Sequence, residues 1–301
     1  MKDARRTAVW LAALIAIVFA GDRLLALLCD QALLRSQFRF SRVYRGGNDA
    51  GIVIMGDSRG VHSFYAPSLE RLTGQRVLNL SYNSMSSRIA EAVLGDYVER
   101  NPAPRIVLIE ITHLAVSSDL ATELKTYTHH SARLRALYAE SHPQAAGLGR
   151  VFRLHAYDSE FFLRALAYLR RSDQDWINRS TIGPELLAAP APERRLGILP
   201  ESLDALERTV RMLRARGITV RLVIAPYHAP ERATNLDEIM ARVSGRVHLP
   251  VLNYVAAGGP PEHFADRVHM NQRGAEQFAR TLARDGVLGT VCQRGKNLAM
   301  Y

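Results

Sequence analysis

Two widely separated parts of the chain carry the residue types of a nucleophile and its base. Residues 51–60 read Gly-Ile-Val-Ile-Met-Gly-Asp-Ser-Arg-Gly, which puts Ser58 shortly after an apolar run. Far downstream, Asp266 and His269 stand three residues apart. A serine hydroxyl attacks an ester only when a base accepts its proton, and the histidine side chain has a suitable pKa. Since an acidic side chain can orient that imidazole, we predict a triad of Ser58, His269 and Asp266.

The element that must position Ser58 is a turn between a strand and a helix. Residues 52–55 form an apolar run typical of a buried parallel strand, and the pattern changes at Gly56 into helical spacing. A serine in such a turn lies at the carboxyl end of a sheet, where the backbone N–H groups of a helix N-terminus favour negative charge. Asp57 and Ser58 are also common helix caps, and such a turn by itself is more often a structural cap than a catalytic site.

Strand and helix patterns alternate along most of the chain. Further strands are predicted at 76–80, 105–111, 218–225 and 247–252. Helices are predicted at 61–72, 88–100, 201–216, 236–243 and 271–285. This alternation with short connections predicts an α/β fold of three layers, α/β/α, in which about five parallel strands lie between helices.

The middle of the chain departs from this pattern. Residues 112–199 contain no long buried strand, while residues 120–138 and 159–171 have helical spacing. We therefore predict a helical insertion at 112–199 near the active end of the sheet, where lids and binding loops usually lie.

The chain opens with basic residues and continues with an apolar segment. An uninterrupted apolar run covers residues 8–20, and after Asp22 and Arg23 the apolar composition resumes at 24–29. Spanning a bilayer takes about 20 apolar residues, so residues 7–28 suffice if the two charges lie near the outer interface or face a protein partner. The basic start favours a cytoplasmic N-terminus, which places the rest of the chain outside the cytoplasm.

Two interpretations of this segment stay open. Val18-Phe-Ala20 has the small-residue character of a cleavage site, which would give a cleaved signal peptide. Because apolar residues continue after Arg23, we favour an uncleaved signal anchor at 1–29. A polar linker at 30–49, a catalytic domain at 50–290 and a C-terminal tail at 291–301 complete the predicted organisation.

Charge and cysteine content argue against several functional classes. The formal net charge is +10, and the arginines that dominate it are scattered along predicted helices rather than interleaved with aromatic residues. We therefore expect no nucleic-acid partner and attribute the excess charge to solvated faces, lipid headgroups or an anionic glycan. Cys29 and Cys292 lack metal-ligand spacing, and no phosphate loop or dinucleotide motif occurs, so neither a metal nor a cofactor is predicted.

The blocks around Ser58 and His269 resemble those of the SGNH, or GDSL, hydrolase superfamily. The Gly-Asp-Ser tripeptide ending at Ser58 matches its first block, and the Asp-x-x-His stretch ending at His269 matches its last block, before the final helix. The resemblance covers residues 50–120 and 200–286. It implies a flavodoxin-like sheet with Ser58 as nucleophile, His269 as base and Asp266 as the acid that orients the imidazole. It also implies an oxyanion hole in which the Ser58 backbone N–H is one donor.

Two other blocks differ from the family pattern. The second block usually has glycine where this chain has Ser84, whose backbone N–H can still donate, and Asn83 beside it could add a side-chain amide. After the third strand the family has asparagine, whereas this chain has Thr112 and His113. Loss of one oxyanion donor costs about 10²–10³ in rate. Either Thr112 or His113 substitutes, or hydrolysis is slow, or the fold is retained for binding.

Three further residues are candidates to line the substrate site. Arg59 and His62 follow Ser58 closely, and His228 leaves the carboxyl end of a predicted strand. For Arg59, a surface position on the first helical turn is an equally good interpretation.

One rival fold also matches the sequence. Residues 56–60 fit the G-x-S-x-G nucleophile elbow of α/β-hydrolases. That elbow usually lies deeper in the sheet and follows an oxyanion loop. Here Ser58 follows the first recognisable strand, and Asp266 and His269 are near neighbours, which favours the SGNH arrangement.

The resemblance also implies a place and a substrate. The chain resembles membrane-tethered SGNH proteins that modify exopolysaccharides or wall polymers. Such proteins often act beside a multispanning acyltransferase of the MBOAT type. We expect an acyl group, with acetyl as the favoured one, to pass through Ser58 to a cell-surface or exported polysaccharide, on the periplasmic side of a bacterial inner membrane. The alternatives are an esterase or deacetylase that uses the same triad with water, and a non-catalytic glycan-binding or assembly subunit.

Overall fold

Five short parallel strands form a single sheet. The computed structural model describes residues 2–117, 120–190, 193, 195–228 and 234–289. The strands are β1 (Ile52–Met55), β2 (Val77–Asn79), β3 (Ile106–Glu110), β4 (Thr219–Ile224) and β5 (Val251–Asn253), in the spatial order β2-β1-β3-β4-β5. Every neighbouring pair is parallel. The predicted α/β fold with about five parallel strands and flanking helices is therefore confirmed.

Helices account for most of the remaining regular structure. In chain order they are α1 (Lys2–Arg35), α2 (Arg39–Arg45), α3 (Ser58–Ser63), α4 (Ala66–Thr73), α5 (Ser87–Arg100), α6 (Ala121–Leu124), α7 (Ala132–Ser141), α8 (Pro143–Val151), α9 (Glu160–Ala167), α10 (Pro184–Ala188), α11 (Pro200–Ala215), α12 (Leu236–Val247) and α13 (Gln272–Arg284). Short 3₁₀ turns cover Ile111–Ala115, Lys125–Tyr127, Arg153–Tyr157, Val255–Gly258 and Pro261–His263.

The chain divides into two compact units, and each is built from three separate stretches of sequence. The described residues of the sheet unit lie within 49–91, 102–117 and 174–289. The helical unit comprises residues 1–48, 92–101 and 118–173.

Buried apolar side chains fasten two helices to one face of the sheet. Ile52 and Ile54 of β1 share a hydrophobic cluster with Leu69 of α4 and with Phe278 and Leu282 of α13. The last two residues are four positions apart and therefore lie on one stripe of their helix. Burying each such side chain contributes about 1.5–3 kcal/mol. This packing holds α13, and the loop that precedes it, against the sheet.

The strand order places a topological switch point at the carboxyl ends of β1 and β3. From β1 the chain passes through α3 and α4 to β2, whereas from β3 it passes towards β4 on the other side. The connections leave these two neighbouring strands in opposite directions. In open parallel sheets, ligands bind outside the carboxyl ends of strands at such a switch point. Ser58 follows β1 and Glu110 ends β3, so both lie at this point.

Some element ends differ from the predicted ones. The helix predicted at 61–72 is two helices, α3 and α4, and Pro67 lies in the first turn of α4, where its missing N–H costs nothing. The strand predicted at 247–252 begins later, because α12 continues through Val247 and His248 ends it with a left-handed φ of 54°.

Residues 30–48 of the stretch 30–49, which was predicted to be a polar linker, are folded into the helical unit. α1 continues to Arg35 and α2 follows at Arg39. Phe38 and Phe40 are fully buried, with ring centroids 5.6 and 5.2 Å from that of Phe161. Arg39 is buried as well and donates to Asp173 at 2.6 Å. The many arginines in this stretch gave it a polar composition, but one of them is satisfied by a buried carboxylate.

The middle of the chain is helical as predicted, but it does not form one insertion. Residues 118–173 belong to the helical unit and residues 174–199 to the sheet unit. The helix predicted at 120–138 is interrupted, because the Ser131 hydroxyl accepts the Leu134 N–H at 2.9 Å and starts α7 as a new helix. The predicted C-terminal tail and Cys292 lie outside the described residues.

α1 combines an exposed apolar half with a half that packs on protein. Its length and composition are sufficient to cross a membrane, and it is the single helix of the described residues that meets both conditions. Residues 8–20 are exposed to solvent on all sides. From Asp22 onward one stripe, which includes Ala26 and Leu33, is buried in the helical unit.

Candidate active site

The turn after β1 places Ser58 at the start of α3. Asp57 caps this helix, since its carboxylate accepts the Arg59 N–H at 2.9 Å. Gly60 allows the turn to pack tightly, because a Cβ there would lie 2.4 Å from the Ser81 hydroxyl oxygen. Ser58 is half-buried, so its hydroxyl remains accessible to a substrate.

A short loop between residues 264 and 270 carries the other two triad residues. Phe264 and Met270 pair as an antiparallel bridge, and the Ala265 N–H donates to the His269 carbonyl at 2.9 Å. Inside the loop, one oxygen of Asp266 accepts two backbone N–H groups, those of Val268 and His269, at 2.8 Å each. The backbone therefore fixes the position of the Asp266 carboxylate independently of its contact with the imidazole.

The helix that follows this loop is fastened by a second polar residue. Asn271 caps α13, since its side-chain oxygen accepts the Gly274 N–H at 3.1 Å. Its amide nitrogen donates to the Glu262 carbonyl at 2.8 Å. Asn271 thus ties the two ends of the loop together.

The structure brings Ser58, His269 and Asp266 into one hydrogen-bonded row. His269 Nε2 lies 2.8 Å from Ser58 Oγ, and His269 Nδ1 lies 2.8 Å from the second oxygen of Asp266. Burial raises the pKa of Asp266, but hydrogen bonds from His269 and from the Val268 N–H outweigh burial and bring the pKa to about 2. An ionised Asp266 only accepts, so Nδ1 carries the hydrogen and Nε2 is left to accept the Ser58 proton.

Glu110 is a buried carboxylate beside this row that sequence reasoning did not identify. Its side chain has no exposed surface. One oxygen accepts the N–H and the hydroxyl of Thr112, at 3.0 and 2.5 Å. The other oxygen accepts the Ala225 N–H at 3.3 Å and lies 3.5 Å from Nε of Arg59. Glu110 therefore joins the ends of β3 and β4 to α3.

Thr112 and His113, the candidates to replace the missing asparagine, are both engaged by Glu110. The two donors of Thr112 are used as described, and His113 Nδ1 lies 2.5 Å from the Glu110 carbonyl oxygen. Burial lowers the pKa of His113, which is consistent with a neutral ring. The structure thus gives both residues positions that hold the end of β3. A role for either residue as an oxyanion donor stays a prediction.

Arg59 is buried and does not lie on an exposed helix face. Its guanidinium donates to the Val268 carbonyl at 2.9 Å and to the Ala225 carbonyl at 2.5 Å. It also stacks over Tyr227, 3.5 Å from the ring centroid. Arg59 therefore connects α3 and the end of β4 to the loop that carries His269, and its role in lining the substrate site stays a prediction.

The loop after β2 lies beside the Ser58 turn. The Tyr82 N–H donates to the Gly56 carbonyl at 3.2 Å, and the Met85 N–H donates back to the Tyr82 carbonyl at 3.0 Å. Ser84, in the resulting turn, has a left-handed φ of 57°, the conformation that glycine adopts most easily. Asn83 and Ser84 are exposed. Their role as oxyanion donors stays a prediction.

His62 and His228, the remaining candidates, are both buried near the triad. The His62 ring lies 5.3 Å from the His269 ring, and its Nδ1 accepts the Asn178 N–H at 3.2 Å. The His228 ring packs against Phe264, the first residue of the triad loop, at 5.5 Å.

A segment that the sequence placed in the insertion crosses this site. We call residues 174–182 the strap. Gln174 accepts the Asn79 N–H of β2 at 2.6 Å, the Asn178 carbonyl accepts the Gln272 N–H of α13 at 2.8 Å, and the Ile182 N–H donates to Phe264 at 2.8 Å. The strap therefore runs from the edge of the sheet to the triad loop.

Trp176 of the strap is a site residue that sequence reasoning missed. Its ring centroid lies 6.2 Å from that of His62 and 5.7 Å from that of Tyr82. The chain has two tryptophans, and this one stands in a polar stretch without helical spacing. Such a tryptophan often lies at a binding surface, which was the available signal. Within the described ranges, no group of three or more His, Cys, Asp or Glu residues is arranged to hold a metal ion.

Comparisons with known proteins give remote likenesses. No family model and no curated protein match the chain. It is similar to a solved structure from Bacteroides fragilis that is described provisionally as an acylhydrolase, with 11% identity, 79% of this chain and 87% of that chain covered, and a TM-score of 0.39. It is also similar to LAE5, an alpha/beta hydrolase enzyme from the metagenome of Lake Arreo, Spain, with 16% identity, 83% and 100% covered, and a TM-score of 0.39. Likenesses this remote do not assign an activity, which must be inferred from the geometry of Ser58, His269 and Asp266.

Proposed function

We propose that the chain is an SGNH-type enzyme that cleaves acyl esters through an acyl-enzyme on Ser58. The observation that supports this most directly is the 2.8 Å distance between Ser58 Oγ and His269 Nε2. Ser58 Oγ attacks the ester carbonyl carbon while Nε2 accepts its proton. The carbonyl oxygen becomes an oxyanion at the N-terminus of α3, where backbone N–H groups favour negative charge. The protonated His269 then gives its proton to the departing alcohol.

The second half of the reaction returns the serine to its starting state. An acceptor hydroxyl gives its proton to Nε2 and attacks the acyl carbon, and the bond to Ser58 Oγ breaks as Oγ recovers the proton. Asp266 keeps the imidazole in the tautomer that both halves require. Water as acceptor gives hydrolysis, and a sugar hydroxyl gives transfer.

We further propose that the acceptor is a hydroxyl of a cell-surface or exported polysaccharide and that the acyl group is acetyl. A multispanning acyltransferase would supply that group on the outer side of a bacterial inner membrane. The basic start of the chain and the apolar length of α1 support this placement. Trp176, which is half-buried and packs against the buried Tyr82, supports a sugar acceptor, because an aromatic ring offers an apolar face to the C–H side of a sugar and leaves its hydroxyls free.

The test uses the full chain in detergent with p-nitrophenyl acetate and a serine-directed fluorophosphonate. We expect turnover and labelling in the wild type, and a loss of at least about 10³-fold in turnover together with all labelling in Ser58→Ala. Ser63→Ala, in the same helix, is the matched control and should retain both. Turnover that survives in Ser58→Ala would refute the acyl-enzyme. Addition of a polysaccharide should then move acetyl to the glycan; release of acetate alone would indicate the esterase.

A further inference from the structure

A cavity in the helical unit gathers cationic side chains that the proposed reaction does not use. Its volume is about 260 Å³, and its walls come from α7, α8 and the 3₁₀ turns at 125–127 and 153–157. Four of the lining residues are cations, namely Lys125, Arg135, Arg150 and Arg153. Tyr138 and His155, which are hydrogen-bonded to each other at 3.0 Å, also line it.

These cations have little negative charge to balance them. Lys125 is buried, and its ammonium lies 3.9 Å from Asp158, whose side chain is 90% exposed. Among the residues that the structure describes, Arg135, Arg150 and Arg153 have no carboxylate within salt-bridge distance. Partial burial and the neighbouring Lys125 lower the pKa of His155. Clustered cations repel one another unless an anion joins them, so the cavity is suited to an anionic ligand.

Hydrogen bonds between the cavity wall and both Asp22 and Arg23 fix the position of this cavity along the axis of α1. The Asp22 carboxylate accepts the N–H groups of Arg153 and Leu154 at 2.9 and 3.0 Å. The Arg23 guanidinium donates to the Val151 carbonyl at 2.9 Å. The cavity wall formed by the end of α8 and the following turn is therefore level with Asp22.

Asp22 and Arg23 place that level at the outer interface if α1 spans a bilayer. Residues 8–20 measure about 20 Å along the helix, whereas a bilayer core is about 30 Å thick. Local thinning of the bilayer and the basic side chains before residue 8 offset this difference. The cavity beside Asp22 then lies at the depth of the lipid headgroups, and the helical unit supplies hydrogen-bond partners for both charged side chains.

The surface beside the cavity has the composition of a segment in contact with lipid. Leu148, Val151 and Phe152 are 49%, 51% and 40% exposed. Arg150 and Arg153 alternate with them and are exposed too. In interfacial segments the apolar side chains enter the acyl region while arginines extend to the headgroups.

We propose that this cavity binds the anionic phosphate headgroup of a membrane lipid, held by Arg135, Arg150 and Arg153. The inference depends on the proposed membrane span of α1. Planar guanidinium groups match phosphate oxygens in paired hydrogen bonds. A cavity of about 260 Å³ admits a headgroup only, so the acyl chains lie outside it against Leu148 and Phe152. Anionic lipid would thereby seat the helical unit on the membrane.

The test titrates the full chain in neutral detergent with dihexanoylphosphatidylglycerol and follows binding by calorimetry. We expect saturable binding that weakens with added salt, and at least tenfold weaker binding of dihexanoylphosphatidylcholine. Arg135→Gln combined with Arg150→Gln should weaken phosphatidylglycerol binding at least tenfold. Arg214→Gln combined with Arg280→Gln removes the same charge from the sheet unit and should change it less than twofold. All four positions are exposed, and thermal denaturation checks that both variants fold.

Each other outcome overturns a stated part of the inference. Inorganic phosphate that binds as tightly as phosphatidylglycerol would assign the cavity to a soluble anion and refute the lipid. A polyuronate that binds while both lipids fail would refute it in favour of a glycan. Equal loss in the two arginine pairs would refute the cavity as the site. Ser58→Ala should leave the lipid affinity unchanged, so failure of the acyl-enzyme and failure of this site are separate results.

Discussion

His269 has a different partner on each ring nitrogen, with Asp266 on Nδ1 and Ser58 on Nε2 at 2.8 Å each. Asp266 is itself held by two backbone N–H groups, so its position does not depend on the histidine. The imidazole is therefore oriented from behind and presents one lone pair to the serine. This arrangement is what a general base needs before a substrate binds.

Asp266→Asn tests the orienting role. An asparagine amide can donate to Nδ1, which favours the tautomer with hydrogen on Nε2 and prevents it from accepting the Ser58 proton. We expect kcat for p-nitrophenyl acetate to fall about 10²–10⁴-fold with little change in KM. Asp237→Asn, an exposed residue of α12, is the control and should retain full activity. An Asp266→Asn variant with normal kcat would remove this residue from the triad.

Asp57 makes a prediction about the pH dependence of stability. Burial and the nearby negative Glu110 raise the pKa of Asp57, more than Arg59 lowers it. The folded state therefore holds this proton more tightly than the unfolded state, and stability falls as pH rises from the ordinary value of 3.8 through the raised pKa. Asp57→Asn keeps a cap acceptor and removes the titration. We expect its Tm relative to wild type to be higher at pH 8 than at pH 4.

The measurement is thermal denaturation at pH 4, 6 and 8. Each kcal/mol gained should raise Tm by roughly 2–4 °C for a chain of this size class. Asp237→Asn is again the control, because it makes the same chemical change at an exposed position of α12. If the Tm of Asp57→Asn relative to wild type falls as pH rises, the pKa of Asp57 is not raised in the folded state.

At the scale of elements, the site depends on how three loops are tied to one another. Arg59 joins α3 to the end of β4 and to the triad loop, and Glu110 joins the ends of β3 and β4. The strap adds contacts from β2 to α13. These ties hold the serine and the histidine at a fixed separation although they come from opposite ends of the sequence.

Gly274→Ala tests the coupling between α13 and the triad loop. A Cβ at this position would lie 2.1 Å from the His263 carbonyl oxygen, so the loop must move to admit it. Overpacking of this kind costs about 1–3 kcal/mol, and a shift of about 1 Å in a catalytic group can cost about 10²-fold in rate. We expect a lower Tm. We also expect kcat to fall by a larger factor than KM changes.

Gly245→Ala provides a matched control within α12. A Cβ there meets nothing within 4 Å, so the change should stabilise the helix by about 0.5–1 kcal/mol and leave kcat unaltered. If Gly274→Ala behaves like Gly245→Ala, the start of α13 does not determine the position of His269.

At the scale of the whole molecule, we propose that the apolar half of α1 is surrounded by lipid, whereas most of the remaining chain is surrounded by water. We expect the chain to stay in the membrane fraction after alkaline carbonate extraction, because α1 is held by apolar contact with lipid and not by surface charge. The extracted chain should have the intact mass of 33.5 kDa. A mass that corresponds to cleavage after Ala20, or release by carbonate, would replace the anchor by a signal peptide.

The sequence by itself determined the elements that depend on local pattern. Short β-branched runs between helical stretches were sufficient to predict the parallel sheet, since a strand buried on both faces must be apolar throughout. The order of Ser58, Asp266 and His269, each beside a predicted turn and helix, was sufficient to propose the triad. Both inferences use information carried by residues that are close together in the chain.

Only the tertiary structure decided the partners of residues that are distant in sequence. Thr112 and His113 were candidate oxyanion donors and Arg59 was a candidate to line the site. The structure shows that each of them contacts the buried Glu110, which the sequence did not indicate. Trp176 reached the site on a strap that the sequence placed in the insertion. A buried polar side chain must be paired, but which group pairs with it depends on how the strands are ordered, and strand order is not written in local periodicity.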